Sequence, residues 1–391
     1  MDYKFPMTKD TISHQDLFEL SDWIKTKPKL TMGDLTKKFE SRWSKYMSVN
    51  HSIFLNSGSS ADFLMAQCGI SSGKINKGDK IIVPSCGWST TISSITQSGL
   101  EPIMVDSDPK DFNLNLDDAA KICEEENIKG AIIVHPLGVP GDKEKILKFK
   151  KKYNLFLMED CCASVGAKFG DNSRIGTIGD VSSFSFYYGH QLSTIEGGMV
   201  CTNNDEIYQN LLMLRSHGWL KDNSKEFIEK VISINPENID KVNFPFNFII
   251  PGFNLRPTEI NSFLGIKQLE KADSIFEKRN SNHSRYYENL HLHYKMQDFG
   301  DNWPVSLHVG VVAESYEKRE KILRKLSEEK IEFRTWSHGN LGKHPFWTNK
   351  YGEFTGQNSD KIYSSGFIVP SHPYLNNDQI DTISEIILNV K

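Results

Sequence analysis

Several features that would place a chain quickly are missing here. None of the six cysteines forms a Cys-x-x-Cys pair, and adjacent Cys161-Cys162 is poor chelating geometry. Cys68, Cys86, Cys123, Cys161, Cys162 and Cys201 are therefore expected as buried, reduced thiols of a cytoplasmic protein. Neither a metal site nor an iron–sulphur cluster is expected. No run approaches the roughly 20 apolar residues of a membrane helix. No apolar stretch follows the charges of residues 1–9, so no secretory signal is expected either. A clustered basic face is also lacking. The formal net charge is −4, and Lys150-Lys151-Lys152 reads as a solvated helix face, which argues against a nucleic-acid binder. Repeats, low-complexity tracts and flexible linkers are absent as well.

What remains is an ordinary globular composition, 38% hydrophobic and 25% charged over 391 residues, long enough for two domains. Between about residues 50 and 215, short β-branched runs alternate with longer amphipathic stretches. Ser52–Leu55, Lys80–Val83, Pro102–Val105, Ala131–Val134, Leu155–Glu159 and Met199–Thr202 read as strands. Ala61–Gly69, Leu116–Glu126 and Lys143–Lys152 read as helices, the second capped by Asn115. This alternation predicts an α/β fold, a largely parallel sheet with helices on both faces. After Pro251-Gly252 the pattern changes. Arg256–Leu292, Tyr316–Lys330 and Asp378–Val390 read as helices around a short apolar run, His308–Val312. Residues 1–255 are expected as a large α/β domain with an amino-terminal arm, and 256–391 as a smaller α+β domain.

Ligands of such sheets collect at the carboxyl ends of strands, so residues there are the candidates for chemistry. Asn56-Ser57-Gly58-Ser59-Ser60 follows the first strand and opens a helix, presenting N–H groups and hydroxyls suited to an anion. Taken by itself, the segment is better explained as a well-capped helix. Glu159-Asp160 closes a strongly apolar strand, where a carboxylate can pair with a heterocyclic nitrogen or simply cap a loop. Trp88, after another strand, can stack on a flat ring or fill the core.

From Phe184 to Met199 the chain reads Phe-Ser-Phe-Tyr-Tyr-Gly-His-Gln-Leu-Ser-Thr-Ile-Glu-Gly-Gly-Met. Here it resembles the sugar-modifying branch of the type I aminotransferases, the DegT/StrS family. Thr31-Met32-Gly33 with Phe39-Glu40, His135-Pro136-Leu137-Gly138-Val139-Pro140, Leu214 to Gly218 and Gly252 to Arg256 carry the resemblance along the chain. Ordinary members hold a lysine five residues after the serine matching Ser185, which binds pyridoxal phosphate covalently; here that position is His190. An imidazole has no primary amine, yet it moves protons near neutral pH. The substitution resembles the sugar 3-dehydratase branch.

The resemblance implies a type I aminotransferase fold and pyridoxal or pyridoxamine phosphate as cofactor. Ser57, Gly58, Ser59 and Ser185 would hold its phosphate, Asp160 its ring nitrogen and Trp88 one ring face. His190 would be the proton carrier. Asn254 would reach a neighbouring subunit's cofactor in a homodimer. Apart from the resemblance, Arg334 in Glu332-Phe333-Arg334 and His217 are candidates for substrate contacts; surface charge and a packed core histidine explain them equally well. That substrate would be a GDP-linked 4-keto-6-deoxy hexose or a heptose analogue, with L-glutamate as amino donor and release of ammonia. Many members carry a glutamine three residues after the aspartate, where this chain has Ala163; Ser164 or water then remains for the ring hydroxyl. Two other readings stay open. One is an iron–sulphur-dependent CDP-sugar 3-dehydrase, against which the dispersed cysteines argue. The other is a silent member that binds the cofactor or a nucleotide sugar as a regulator.

Overall fold

The computed structural model describes residues 3–234, 237–240 and 242–390; residues 1 and 2 of the amino-terminal segment lie outside them. Seven strands form the main sheet: β1 (His51–Leu55), β2 (Lys80–Pro84), β3 (Glu101–Val105), β4 (Ile128–Val134), β5 (Phe156–Asp160), β6 (Val181–Ser185) and β7 (Gly198–Thr202). Their order is β1-β7-β6-β5-β4-β2-β3. The neighbours from β6 through β3 run parallel, and β7 is antiparallel to both β1 and β6. Six of these strands match the expected runs to within a few residues. β6 is not among the expected strands, because Val-Ser-Ser-Phe-Ser lacks the apolar density of a buried strand. Its serines are nevertheless buried, and two donate side-chain hydrogen bonds, Ser182 to Gly176 O and Ser183 to Asp62.

Helices α1 (His14–Lys25) and α2 (Asp34–Met47) precede the sheet. α3 (Gly58–Ser71), α4 (Ser89–Gln97), α5 (Leu116–Glu125) and α6 (Lys143–Tyr153) connect its strands, and α7 (Asp205–Arg215) and α8 (Lys225–Ile234) follow. Strand alternation divides the core in two. Phe54, Ile133 and Leu157 pack with Phe39 and Trp43 of α2, Phe149 of α6 and Phe276 further on. Ile53, Ile132 and Met158 pack on the other face with Leu64 and Met65 of α3 and Ile92 of α4. Asn115 caps α5 as expected, accepting from the N–H groups of Asp117 and Asp118.

A 32-residue helix, α9 (Glu259–Leu290), leads into the second part. There β8 (His308–Val312), α10 (Tyr316–Glu328), β9 (Arg334–Thr335), α11 (Pro345–Tyr351), α12 (Gln357–Ser365), β10 (Gly366–Pro370) and α13 (Asn377–Leu388) build an antiparallel sheet, β8-β10-β9, with helices against it. Two long-range ties hold the chain's early residues. Glu259 accepts from the N–H groups of Gly33, Leu35 and Thr36, capping α2, whose N-cap Gly33 has no side chain to do so. Phe5 pairs with Ile331 and is buried beside Tyr286, Val311 and Ile331. The amino-terminal strap is thereby packed on the smaller sheet.

Candidate active site

The parallel strands end together, so their following residues share one edge of the sheet. After β1, Ser57 caps α3, its hydroxyl accepting from Ser60 N at 3.1 Å. The helix therefore begins at Gly58, earlier than the expected Ala61. A Cβ on Gly58 would lie 2.5 Å from Ser185 Cβ, so only glycine lets the start of α3 meet the end of β6. Ser57 is half-buried, Ser59 exposed and Ser185 buried. These hydroxyls and the first N–H groups of α3 form a polar corner suited to an anion.

Asp160 ends β5, only 4% exposed. Its Oδ2 accepts from Thr91 Oγ1 at 2.6 Å and its Oδ1 from Cys162 N at 3.0 Å. Neighbouring Glu159 points to the opposite face, as alternation demands. It accepts from Gly176 N, Ile178 N and Gly179 N at 3.0, 2.8 and 2.5 Å. Of the expected acid pair, one residue anchors a loop and the other lies beside α3 and α4. Thr91 escaped the sequence reading because only contact with Asp160 distinguishes it from other helix threonines.

His190 lies in the turn after β6, half-buried. Its Nδ1 is 2.6 Å from Cys162 O; a carbonyl only accepts, so Nδ1 carries the proton and Nε2 keeps its lone pair. Burial, opposed by that hydrogen bond and aided by the Arg279 charge, lowers its pKa to about 4. The ring is therefore neutral at pH 7. Arg279 of α9 was also missed. It is buried, and its guanidinium donates to Ser306 O, Leu307 O and Ser371 O and, at 3.5 Å, to His190 O. It ties the His190 turn to segments flanking the smaller sheet.

The remaining candidates are placed less uniformly. Trp88, 60% exposed, leaves a ring face open and meets His338 edge-on at 5.7 Å. Arg334 is exposed on β9, and its charge, with those of Arg279, His190 and His338, adds to the burial that lowers the pKa of His308. Asn254 and His217 sit together instead. Ser216 pairs with Asn254, His217 N donates to Phe253 O, and none of their described contacts is with Asp160, Ser185 or His190. Ser164 Oγ is buried without a described partner, whereas Gln191 donates to Ala163 O. The thiols need one correction: all six are free, but Cys123, near the end of α5, and Cys162, in the loop after β5, are only half-buried.

The corner fits a phosphorylated heterocycle: a glycine approach no Cβ permits, hydroxyls around a helix start, a buried carboxylate and an open indole. Sheet order, the single antiparallel strand and this corner define a type I aminotransferase fold. Residues 11–388 match the DegT/DnrJ/EryC1/StrS aminotransferase family, and the chain belongs to it. It is 32% identical to a GDP-4-keto-6-deoxy-D-mannose 3-dehydratase of Yersinia pseudotuberculosis, over 98% of both chains. Among solved structures it is similar to a His-to-Asn variant of GDP-4-keto-6-deoxymannose-3-dehydratase with bound GDP-perosamine. The TM-score there is 0.88 at 27% identity, covering 99% of this chain and 100% of the other. A second structure of that enzyme, with a trapped PLP-glutamate geminal diamine, gives 0.86 at 26% identity over 98% and 100%.

Proposed function

We propose that the protein is a vitamin B6-dependent 3-dehydratase of a GDP-linked 4-keto-6-deoxy sugar, with L-glutamate as amino donor. One observation carries the reading: the residue five after Ser185 is a histidine held neutral, with one ring nitrogen tied and the other free. When bound, the cofactor supplies an amine for the sugar's 4-keto group and a ring that takes up electron density. Ser57, Gly58, Ser59 and Ser185 would hold its phosphate, Asp160 its ring nitrogen and Trp88 one face. His190 Nε2 accepts the proton released at the reacting carbon. The Cys162 carbonyl keeps the ring oriented as it becomes charged. A buried imidazolium of depressed pKa is a strong acid, so His190 then donates its proton to the departing C3 hydroxyl. Lacking an amine, His190 leaves the cofactor untethered.

Exposed Trp88, Tyr187, Tyr188 and Ile195 around this corner suit a homodimer whose interface completes the site, with Asn254 reaching a neighbour's cofactor. His217 and Arg334 are the proposed substrate contacts. The compartment is the cytoplasm, and the product would feed deoxysugar assembly for a surface polysaccharide such as lipopolysaccharide O-antigen or capsule. No described helix is long and apolar enough to cross a membrane. The test is incubation with GDP-4-keto-6-deoxymannose, pyridoxal phosphate and glutamate, followed by mass spectrometry and ammonia measurement. Loss of water with ammonia release is expected; an amino sugar as product would sink the proposal. A GDP-linked 4-keto heptose in a parallel assay decides between hexose and heptose.

A further inference from the structure

Asp62 played no part in the sequence reading, because a carboxylate between Ala61 and Phe63 looks like an exposed helix residue. It is 2% exposed, on the first turns of α3, against the ends of β5 and β6. Its Oδ1 accepts from Ser183 Oγ at 2.5 Å and from the Cys162 thiol at 3.9 Å. Carboxyl oxygens of Asp62 and Asp160 and the Cys162 sulphur all lie within 4.8 Å of one another. Both oxygens of Asp160 already accept hydrogen bonds, from Thr91 Oγ1 and Cys162 N. The groups that act on Asp62 are Asp160 from β5, Cys162 from the following loop and Ser183 from β6; no cation is among them. Burial first, and the Asp160 charge second, push the Asp62 carboxyl well above its usual range, against the hydrogen bonds from Ser183 and Cys162, which favour its charged form.

We propose that Asp62 is a positioning residue for the cofactor nitrogen: a second buried carboxyl behind Asp160, the two together, with no cation beside Asp62, sharing one proton and presenting one negative charge to the ring. Made alkaline, the site gains a second negative charge, which holds the proton on the ring nitrogen to higher pH than Asp160 alone. This rests on the assignment of Asp160 to the cofactor nitrogen, so the experiment treats the two separately.

The first measurement is thermal stability against pH for the full chain and Asp62→Asn, without added cofactor. Asp62 has a folded-state pKa above its unfolded value. The stability linked to it is present below the unfolded value and lost as pH rises towards the folded one. The melting temperature of Asp62→Asn relative to the native chain should therefore climb as pH rises above about 4. A constant difference overturns the proposal. The second measurement is the absorbance of bound pyridoxal 5′-phosphate against pH, which reads ring-nitrogen protonation. Asp62→Asn should lose that proton at a lower pH than the native chain; coincident profiles overturn the proposal.

Should Asp62→Asn fail to fold, infrared spectra of the native chain decide. The C=O stretch of a buried protonated carboxyl at pH 7, shifted by aspartate labelled with carbon-13, is expected, and its absence overturns the proposal. One equivalent of tightly bound divalent metal in the purified protein would also overturn it, by ionising the pair. Asp160→Asn tests the underlying assignment alone. Unchanged affinity for pyridoxal 5′-phosphate would remove the cofactor reading whatever Asp62 does.

Discussion

Two clusters of the same kind of residue lie on opposite sides of the end of β5. On one side are His135, Glu159 and Cys161; on the other are Asp62, Asp160 and Cys162. In the first, Glu159 is satisfied by three backbone N–H groups. His135 accepts from Gly141 N at Nδ1, which leaves its Nε2–H directed at Glu159 at 3.7 Å. The Glu159 carboxylate is matched to backbone donors from its own surroundings, while His135 Nε2 has no hydrogen-bond partner among the described residues, and the result is a pinned loop. The second cluster holds two carboxyls without a cation, and the Cys162 carbonyl orients His190. Similar composition thus gives an anchor on one side. On the other it leaves two neighbouring carboxyls, with no cation among the groups that act on Asp62.

Substitutions can break that contrast, in decreasing order of effect. His190→Asn should lower kcat by about 10²–10⁴-fold while pyridoxal phosphate still binds. Equilibrium dialysis beside turnover separates the two, and retained turnover would remove His190 as proton carrier. Asp160→Asn should weaken cofactor binding by about 10–100-fold with little change in melting temperature, through loss of one charge-assisted hydrogen bond. Glu159→Gln should do the reverse. Calorimetry should show a stability loss of about 2–4 kcal/mol, while the folded fraction keeps its cofactor affinity. If Glu159→Gln instead releases cofactor, the two sides are not independent.

The smallest effect is on acid stability. Burial lowers His190, His283, His338 and His372 to about 4 each. A depressed histidine contributes stability above its unfolded pKa of about 6.5, and this is lost as pH falls through the folded value. The melting temperature should therefore fall between about pH 6.5 and 4. His190→Asn should remove one part of that slope, whereas Glu159→Gln should leave the histidine contribution in place.

Much of this was legible in the chain. Strands such as His308–Val312 announce themselves because buried parallel and core strands are runs of apolar residues. His190 stood out because the surrounding motif fixes what its position does in related chains. Other residues carried no such mark. β6 hides behind serines whose hydroxyls are satisfied only by tertiary contacts. Asp62, Thr91 and Arg279 depend on partners 27 to 121 positions away in sequence. The Glu159-Asp160 pair was visible, but which acid faces the ligand corner follows from strand alternation against helices whose sides the sequence does not label.

The amino-terminal strap bears on how the chain is made. Lys4 N and Phe5 N donate to Lys330 O, and Glu332 N donates back to Phe5 O. During synthesis these partners leave the ribosome more than 320 residues after the strap, which at about 5–20 residues per second is a wait of tens of seconds. The sheet of β1 to β7 can assemble in that interval, with the strap's apolar Phe5 and Met7 still uncovered. Closure is then a late, long-range step, and a nascent chain halted before residue 330 should expose its first residues to protease.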